Sequence, residues 1–265
     1  MAHWNPSGKL AVVTGASSGI GRCLSKQLVA RRCCVIAVAR RGDRLQELAD
    51  QIGRDRADGM LLPIVGDVTD PQTRGQIESQ VRSRGGRLDL LVNNAGIGGI
   101  GPFERATESR LRKIMEVNFF APAELTRRLM PYLKSSGDAV ICNLGSVLGH
   151  RAVPDKSEYC ASKFAMHGWS DALRAELAGA SVQVTLVSPS TTRSEFFDTL
   201  VESDAGATSK SIGSWPAERV AAATLTAIRK RRAEVVLSVG GKLLVYADRL
   251  CPPLMNWLLQ KRSGQ

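Results

Sequence analysis

Leu10-Ala11-Val12-Val13-Thr14-Gly15-Ala16-Ser17-Ser18-Gly19-Ile20-Gly21 is the stretch on which the reading of this chain turns. Leu10 to Thr14 is a short apolar run that stops at a glycine, which reads as a buried strand. Residues 20–31 read as a helix. Between them, glycines permit a tight turn and let the backbone approach a diphosphate, which comes to rest on the helix N-terminus. The pattern G-x-G-x-x-G is not met, because Leu24 stands where its last glycine would fall. What stands instead is Thr-Gly-x-x-x-Gly-x-Gly in a strand–turn–helix context, and that context argues against a plain glycine-rich turn.

Working outward, strand and helix alternate. Apolar runs at Cys33–Val38, Leu61–Val65, Leu88–Val92, Ala139–Leu144 and Val182–Val187 read as further strands. Helical spacing over Asp43–Ile52 makes Asp43 a candidate cap, and Thr69 or Asp70 can cap the next helix. Two helices fill about 107–135, a long one runs from about Lys156 to Leu177, and a helix near 216–231 precedes a strand near Val235–Leu237. The strands are continuous apolar runs, the signature of a parallel sheet covered on both faces. The fold class expected is α/β, a doubly wound Rossmann-like parallel sheet in three α/β/α layers. One domain is expected over 1–265, with its core at 8–240 and an apolar tail at 241–265. Residues 203–214 are small and polar and read as a mobile loop.

Composition narrows the function classes. At 43% apolar and 23% charged residues, the chain of 265 residues has the makeup of a globular protein, which argues against disorder. The start carries no signal region and no apolar run is long enough to span a bilayer, so a cytoplasmic protein is expected. The cysteines form no C-x-x-C pair and only three histidines are present, so no metal is expected. Cys33, Cys34 and Cys142 read as buried, and Cys160 as partly accessible. The net charge of +11 suits nucleic acid, anionic lipid or an anionic cofactor. The excess is spread along the chain without an aromatic-interleaved basic tract. An anionic cofactor is therefore expected and a nucleic-acid partner is not.

Two local patterns carry chemistry. After the second strand an NAD-binding chain tends to place a carboxylate that accepts from the ribose 2′-hydroxyl. Here the chain reads Ala39-Arg40-Arg41-Gly42-Asp43-Arg44. Arginine matches a 2′-phosphate, so NADP is expected, with Arg40 as the main contact and Ser17 or Arg41 assisting. In Tyr159-Cys160-Ala161-Ser162-Lys163 the tyrosine and lysine fall one helical turn apart on one face. A neighbouring ammonium lowers a phenol pKa and readies it for proton exchange with a substrate oxygen.

With these residues in view the chain resembles the short-chain dehydrogenase/reductase family over about residues 8–240. The turn Thr14–Gly21 matches the family's cofactor motif, including Gly15, Ser17, Ser18, Gly19, Ile20 and Gly21. Asp67-Val68 matches the residues that contact adenine. Asn93-Asn94-Ala95-Gly96 matches the motif that supports the sheet and borders the cofactor. Asn118, Ser146, Tyr159 and Lys163 match the catalytic tetrad. One corner departs: where the family has Pro-Gly-x-x-x-Thr, this chain has Pro189-Ser190-Thr191-Thr192-Arg193-Ser194. Ser190 restricts the backbone more than glycine and bears on pocket size, while Ser194 keeps a hydroxyl.

The resemblance implies an NADP(H)-dependent oxidoreductase of the carbonyl reductase type, acting on a small-molecule carbonyl or alcohol. It implies Tyr159 as general acid/base, Lys163 lowering the Tyr159 pKa and holding the nicotinamide ribose, and Ser146 donating to the substrate oxygen. Asn118 would hold a water linking Lys163 to solvent, and Thr192 would meet the carboxamide through its backbone, beside Pro189 and Ser190. A homodimer or homotetramer is expected. The pocket would be framed by 98–103, 147–153 and 190–214, with Val147, Leu148, Val153, Phe196 and Phe197 making it apolar and His150 and Arg151 within reach of an anionic group. The tail 242–262 reads as packed on its own domain or on a second subunit, in preference to an interfacial membrane contact through Trp257, Lys261 and Arg262. Two rivals remain: a non-catalytic NADP-binding sensor, which would have a broken tetrad, and an epimerase or dehydratase, which would have a different glycine spacing and a larger C-terminal region.

Overall fold

The computed structural model describes residues 3–55, 60–193, 195–196, 200–201 and 214–263. The expected mobile loop, apart from its last residue, and the expected contributions of Ser194 and Phe197 lie outside them.

Strands β1 (Leu10–Thr14), β2 (Cys34–Ala39), β3 (Leu61–Val65), β4 (Leu90–Asn93), β5 (Ala139–Leu144) and β6 (Val182–Ser188) join the last strand of the chain's core, Glu234–Val236, in one sheet. Its order is β3-β2-β1-β4-β5-β6 followed by that last strand, and every pairing is parallel. The helices are α1 (Gly19–Val29), α2 (Gly42–Asp55), α3 (Pro71–Ser83), α4 (Glu108–Met115), α5 (Ala121–Ser136) and α6 (Ser157–Glu176). Two short strands, β7 (Thr192–Arg193) and β8 (Trp215–Pro216), pair with each other ahead of α7 (Ala217–Arg229). Strand β9 (Glu234–Val236) precedes α8 (Val239–Leu250) and α9 (Pro252–Ser263).

The alternation of side chains along a strand divides the core. Ala11, Val13, Val35 and Ala37 pack on one face against Leu24 and Leu28 of α1, Leu45 and Leu48 of α2, and Val220 and Leu225 of α7. Val12, Ile36 and Val38 pack on the other against Ile77 of α3, Leu125 and Leu129 of α5, and Leu173 of α6. Each such side chain, buried completely, contributes about 1.5–3 kcal/mol over leaving it in water. The doubly wound, three-layer arrangement is thus the expected one. Because chain order reverses between β1 and β4, the loops after these strands diverge and leave a crevice at their carboxyl ends, where ligands of such sheets bind.

Asp70 accepts from the backbone N–H groups of Gln72 and Thr73 and caps α3, with Pro71 in its first turn. Asp43 does not cap α2; it lies inside the first turn, where its charge faces the positive helix end. The fourth strand starts two residues later than Leu88, just after Asp89, whose carboxylate accepts from Leu10 N, Lys9, Arg87 and Ser136. The two helices of 107–135 are joined by one π-helical turn, Glu116–Phe120.

In the tail, one side of α8 meets the body and the other does not. Gly241 and Val245 of α8 are buried, so that helix does pack on the body. Val239, Leu243, Tyr246 and Leu250, at i, i+4, i+7 and i+11 along the same helix, are all exposed. Among the described residues no helix is long and apolar enough to cross a membrane.

Candidate active site

The crevice is built on the turn after β1. Gly15 holds φ +67° and Gly19 φ +52°, conformations that a residue with a Cβ resists. A Cβ on Gly21 would come within 2.4 Å of Gly15 O, so α1 can start flush against the turn only with glycine there. The Thr14 hydroxyl donates to Val92 O and accepts from the N–H groups of Asn94 and Ala95. The Asn94 amide returns to Thr14 O at 2.8 Å. These bonds stitch the loops of β1 and β4 into one edge. Asn93 binds Thr126 and Asn143 beneath that edge, as a support within the sheet. No side chain caps α1 and no acidic residue stands in its first turn, so its leading N–H groups face the crevice free of an internal anion. That donor set fits a diphosphate.

Of the residues expected to hold the cofactor, Gly15, Ser17, Ser18, Gly19, Ile20, Arg40, Asp67, Val68, Asn94, Ala95, Gly96, Tyr159, Lys163, Pro189, Ser190 and Thr192 line the crevice together. Gly21 lies behind the turn. At one end Arg40 is largely exposed and stands 3.7 Å from Asp67. Arg41 is the arginine beside Ser17, its guanidinium 3.4 Å from the hydroxyl. The sequence reading missed Glu195. Its two carboxylate oxygens accept from Arg41 Nη1 at 2.7 Å and Arg44 Nη1 at 3.1 Å. Those guanidinium groups hold its carboxyl below the usual carboxylate range. A separation of about 150 residues leaves no local pattern by which to find such a pair.

At the other end lie Ser146, Tyr159 and Lys163. Tyr159 and Lys163 stand on α6, and Ser146 follows β5. The Lys163 ammonium donates to Leu144 O at 2.8 Å and lies 5.7 Å from the Tyr159 ring centre. A Cβ on Gly149, in the 3-10 turn Val147–Gly149, would meet Lys163 O at 2.6 Å; the segment after Ser146 therefore lies directly on α6. Burial pushes the Tyr159 phenol up to about 12, opposed by its hydrogen bond with Ser146. Burial also brings Lys163 down to about 8. The expected lowering of the phenol by Lys163 is thus not met: desolvation outweighs the charge, whose ammonium is directed at a carbonyl. The Phe196 ring stands edge-on to Tyr159, 5.7 Å between centres.

Asn118 sits in the π turn. It donates to Ile97 O and Ser162 Oγ and accepts from Ile97 N, all at 2.9 Å. A second pair escaped the sequence reading. Arg110 of α4 donates through Nε and Nη2 to Glu158 at 2.9 and 2.7 Å, with both side chains almost wholly buried. It fixes the first turn of α6 next to Tyr159.

Several expected pocket residues face elsewhere. Val147 and Leu148 pack with Val236, Leu244 and Val245 behind the crevice. His150 bonds Ser188 at 2.9 Å, and Arg151 bonds Asp248 at 2.8 Å and Asn256 at 2.7 Å, so neither is offered to an anion. Ser190 turns its hydroxyl onto Ser238 at 2.8 Å, which ties the altered corner to the start of α8. Cys160 is buried, not partly accessible. His150, His167 and Glu234 bring donor atoms within 4.8 Å of one another, a cluster that sequence spacing concealed. It is already satisfied: His167 contacts Gly149 O, and Arg249 stands beside both His150 and Glu234.

The family model for short chain dehydrogenases matches residues 9–205 of this chain. The chain belongs to the short-chain dehydrogenase/reductase family. This short-chain dehydrogenase is 30% identical to the dehydrogenase/reductase SDR family protein 7-like of Drosophila melanogaster, over 97% of this chain and 81% of that one. It is 35% identical to 11-beta-hydroxysteroid dehydrogenase 1A of Arabidopsis thaliana, over 72% of this chain and 54% of the plant protein. Among solved structures it resembles a short-chain dehydrogenase from Streptomyces avermitilis at 30% identity and a TM-score of 0.79, covering 98% and 99% of the two chains.

Proposed function

We propose that this short-chain dehydrogenase is an NADP(H)-dependent reductase of hydrophobic carbonyl compounds, with Tyr159 as the proton donor. The observation that carries the reading is the pairing of the two ends of one crevice. Tyr159, Ser146 and Lys163 converge at one end, and Arg40 and Arg41 stand at the other, with Arg44 bonded to Glu195 beside them. Between them, the uncapped N-terminus of α1 and the glycine turn take the diphosphate. The arginines take the 2′-phosphate, with Ser17 beside Arg41. A Cβ on Gly96 would stand 3.3 Å from Asn118 Oδ1, closer than ordinary contact, so glycine suits that wall of the crevice. When bound, the nicotinamide supplies the hydride that reduces the substrate carbon.

Each residue then has a stated part. Ser146 donates to the carbonyl oxygen and stabilises the charge that builds there. Tyr159 gives its proton to that oxygen, so carbonyl, hydride and proton together make the alcohol. A phenol raised to about 12 by burial is protonated at neutral pH and more acidic than an alcohol, which suits donation better than abstraction. Lys163, at about 8, carries a positive charge at neutral pH, and that charge, 5.7 Å from the ring centre, favours the phenolate as it forms. Phe196 offers an apolar face beside Tyr159, and the plant relative is named for a steroid alcohol; both support a hydrophobic substrate.

The test is a panel of ketones and aldehydes followed at the NADPH absorbance, with Tyr159→Phe beside the wild type. Turnover is expected to vanish in Tyr159→Phe while NADPH binding persists. Undiminished turnover would dismiss Tyr159 as proton donor. Tight NADPH binding with no turnover on any carbonyl would instead favour a sensor.

A further inference from the structure

Helix α8 is apolar on two sides. Gly241 and Val245 face the body, while Val239, Leu243, Tyr246 and Leu250 line the opposite side, exposed at 76%, 66%, 51% and 86%. A helix that packs on one protein body needs only one apolar stripe. The following helix, α9, also leaves Leu254, Trp257 and Leu258 exposed. One side chain ties both helices to the body. Arg151 donates to Asp248 of α8 at 2.8 Å and to Asn256 of α9 at 2.7 Å. The exposed stripe of α8 therefore does not result from a helix that has come loose. Exposed patches of this kind mark interaction sites.

Charge selects the occupant. From Val239 to the end of the chain the basic residues are Lys242, Arg249, Lys261 and Arg262, and the sole acidic residue is Asp248. Asp248 is turned inward and neutralised by Arg151. Lys242 is exposed on α8, and Lys261 lies over the Trp257 ring, 4.1 Å from its centre. Arg249 leans back toward Glu234 at 3.8 Å and is not counted on this face. A second copy of the chain meeting this surface through a two-fold axis would set cations against cations. An anionic bilayer surface meets the stripe with hydrocarbon and the lysines with phosphate and carboxylate.

We propose that the outward faces of α8 and α9 dock this protein on the surface of anionic membranes, lying in the interface without crossing it. The packing of α8 on Val147, through Val245 and Gly241, then holds the reacting end of the crevice next to the lipid surface. Apolar burial and lipid charge both contribute, so binding weakens in high salt without being abolished.

The test is sedimentation of the full chain with phosphatidylcholine vesicles, with and without phosphatidylserine. The variants are Leu243→Gln/Leu250→Gln/Trp257→Gln and, separately, Lys242→Gln/Lys261→Gln. All these positions are exposed, and unchanged thermal unfolding of each variant is the control for folding. Binding to the phosphatidylserine vesicles is expected, with at least about tenfold weaker partition in the first variant and a several-fold loss in the second. A blue shift of tryptophan emission on those vesicles, absent in Trp257→Phe, is expected alongside. Wild-type protein that stays in the supernatant would overturn the proposal, as would unchanged partition in the first variant. Light scattering that shows a wild-type dimer and a monomeric first variant would assign the surface to a second copy and overturn it equally.

Discussion

Glu195→Gln is expected to tighten NADPH and leave NADH nearly unchanged. The Glu195 carboxylate spans Arg41 and Arg44 at 2.7 and 3.1 Å, and all three side chains are between 36% and 43% exposed. A 2′-phosphate needs those same guanidinium groups, so it has to displace the carboxylate. A half-exposed ion pair contributes about 0.2–1 kcal/mol after screening and ordering, so the pair of contacts is worth roughly 1 kcal/mol. Gln keeps the size and a hydrogen-bonding oxygen but removes the charge. Most of that 1 kcal/mol then passes to NADPH, a gain of about fivefold in Kd. NADH has no phosphate to place there and is expected to move by less than about twofold. Fluorescence titration of both cofactors, at low and high salt, reads the effect, and the NADPH gain should shrink as salt rises. An NADPH Kd that is unchanged or weaker in Glu195→Gln would refute the competition. Loss of affinity for both cofactors would show that Glu195 props the crevice open instead.

Three further outcomes follow from burial and close approach. Lys163 titrates near 8 in the folded protein and near 10.4 when unfolded, so between those pH values the unfolded chain holds the extra proton. Stability is therefore expected to rise with pH across that window, by up to roughly 3 kcal/mol relative to Lys163→Met; urea melts that run parallel for the two proteins would contradict this. Arg110→Met leaves the Glu158 carboxylate buried without its partner and is expected to cost about 3–5 kcal/mol in urea unfolding, whereas Arg110→Met/Glu158→Leu should recover most of it. A double variant no more stable than the single one would show the ion pair matters for more than mutual neutralisation. Gly21→Ala drives a Cβ to 2.4 Å from Gly15 O and is expected to weaken NADPH and NADH alike by more than about tenfold, measured by the same titration; unchanged affinity would mean that the turn is softer than drawn.

What the sequence disclosed and what it hid divide along physical lines. Strand β5 falls on its expected residues because a strand buried along its whole length must be a continuous apolar run. The glycine turn was legible because its backbone requirement admits few residue types. Glu195 and the Arg110–Glu158 pair were not, since two charges far apart in sequence meet only through the topology. The Tyr159 phenol was misjudged for a related reason: the i, i+4 rule places Lys163 nearby but does not show how dry the site is or where the ammonium turns. The outward stripe of α8 was visible as apolar residues, yet periodicity alone cannot say which of two apolar stripes meets the body.

Gly149 has a consequence for how this enzyme family member can vary. A Cβ there would stand 2.6 Å from Lys163 O, so the Ser146 segment and the Lys163 backbone can approach this closely only with glycine between them. The separation of the two hydroxyls, on Ser146 and Tyr159, is therefore gauged by a shim of zero thickness. Loops around the crevice can lengthen or change composition without altering that separation. A single methyl group at 149 would wedge strand end from helix and detune both hydroxyls at once, leaving every residue that performs chemistry in place by name.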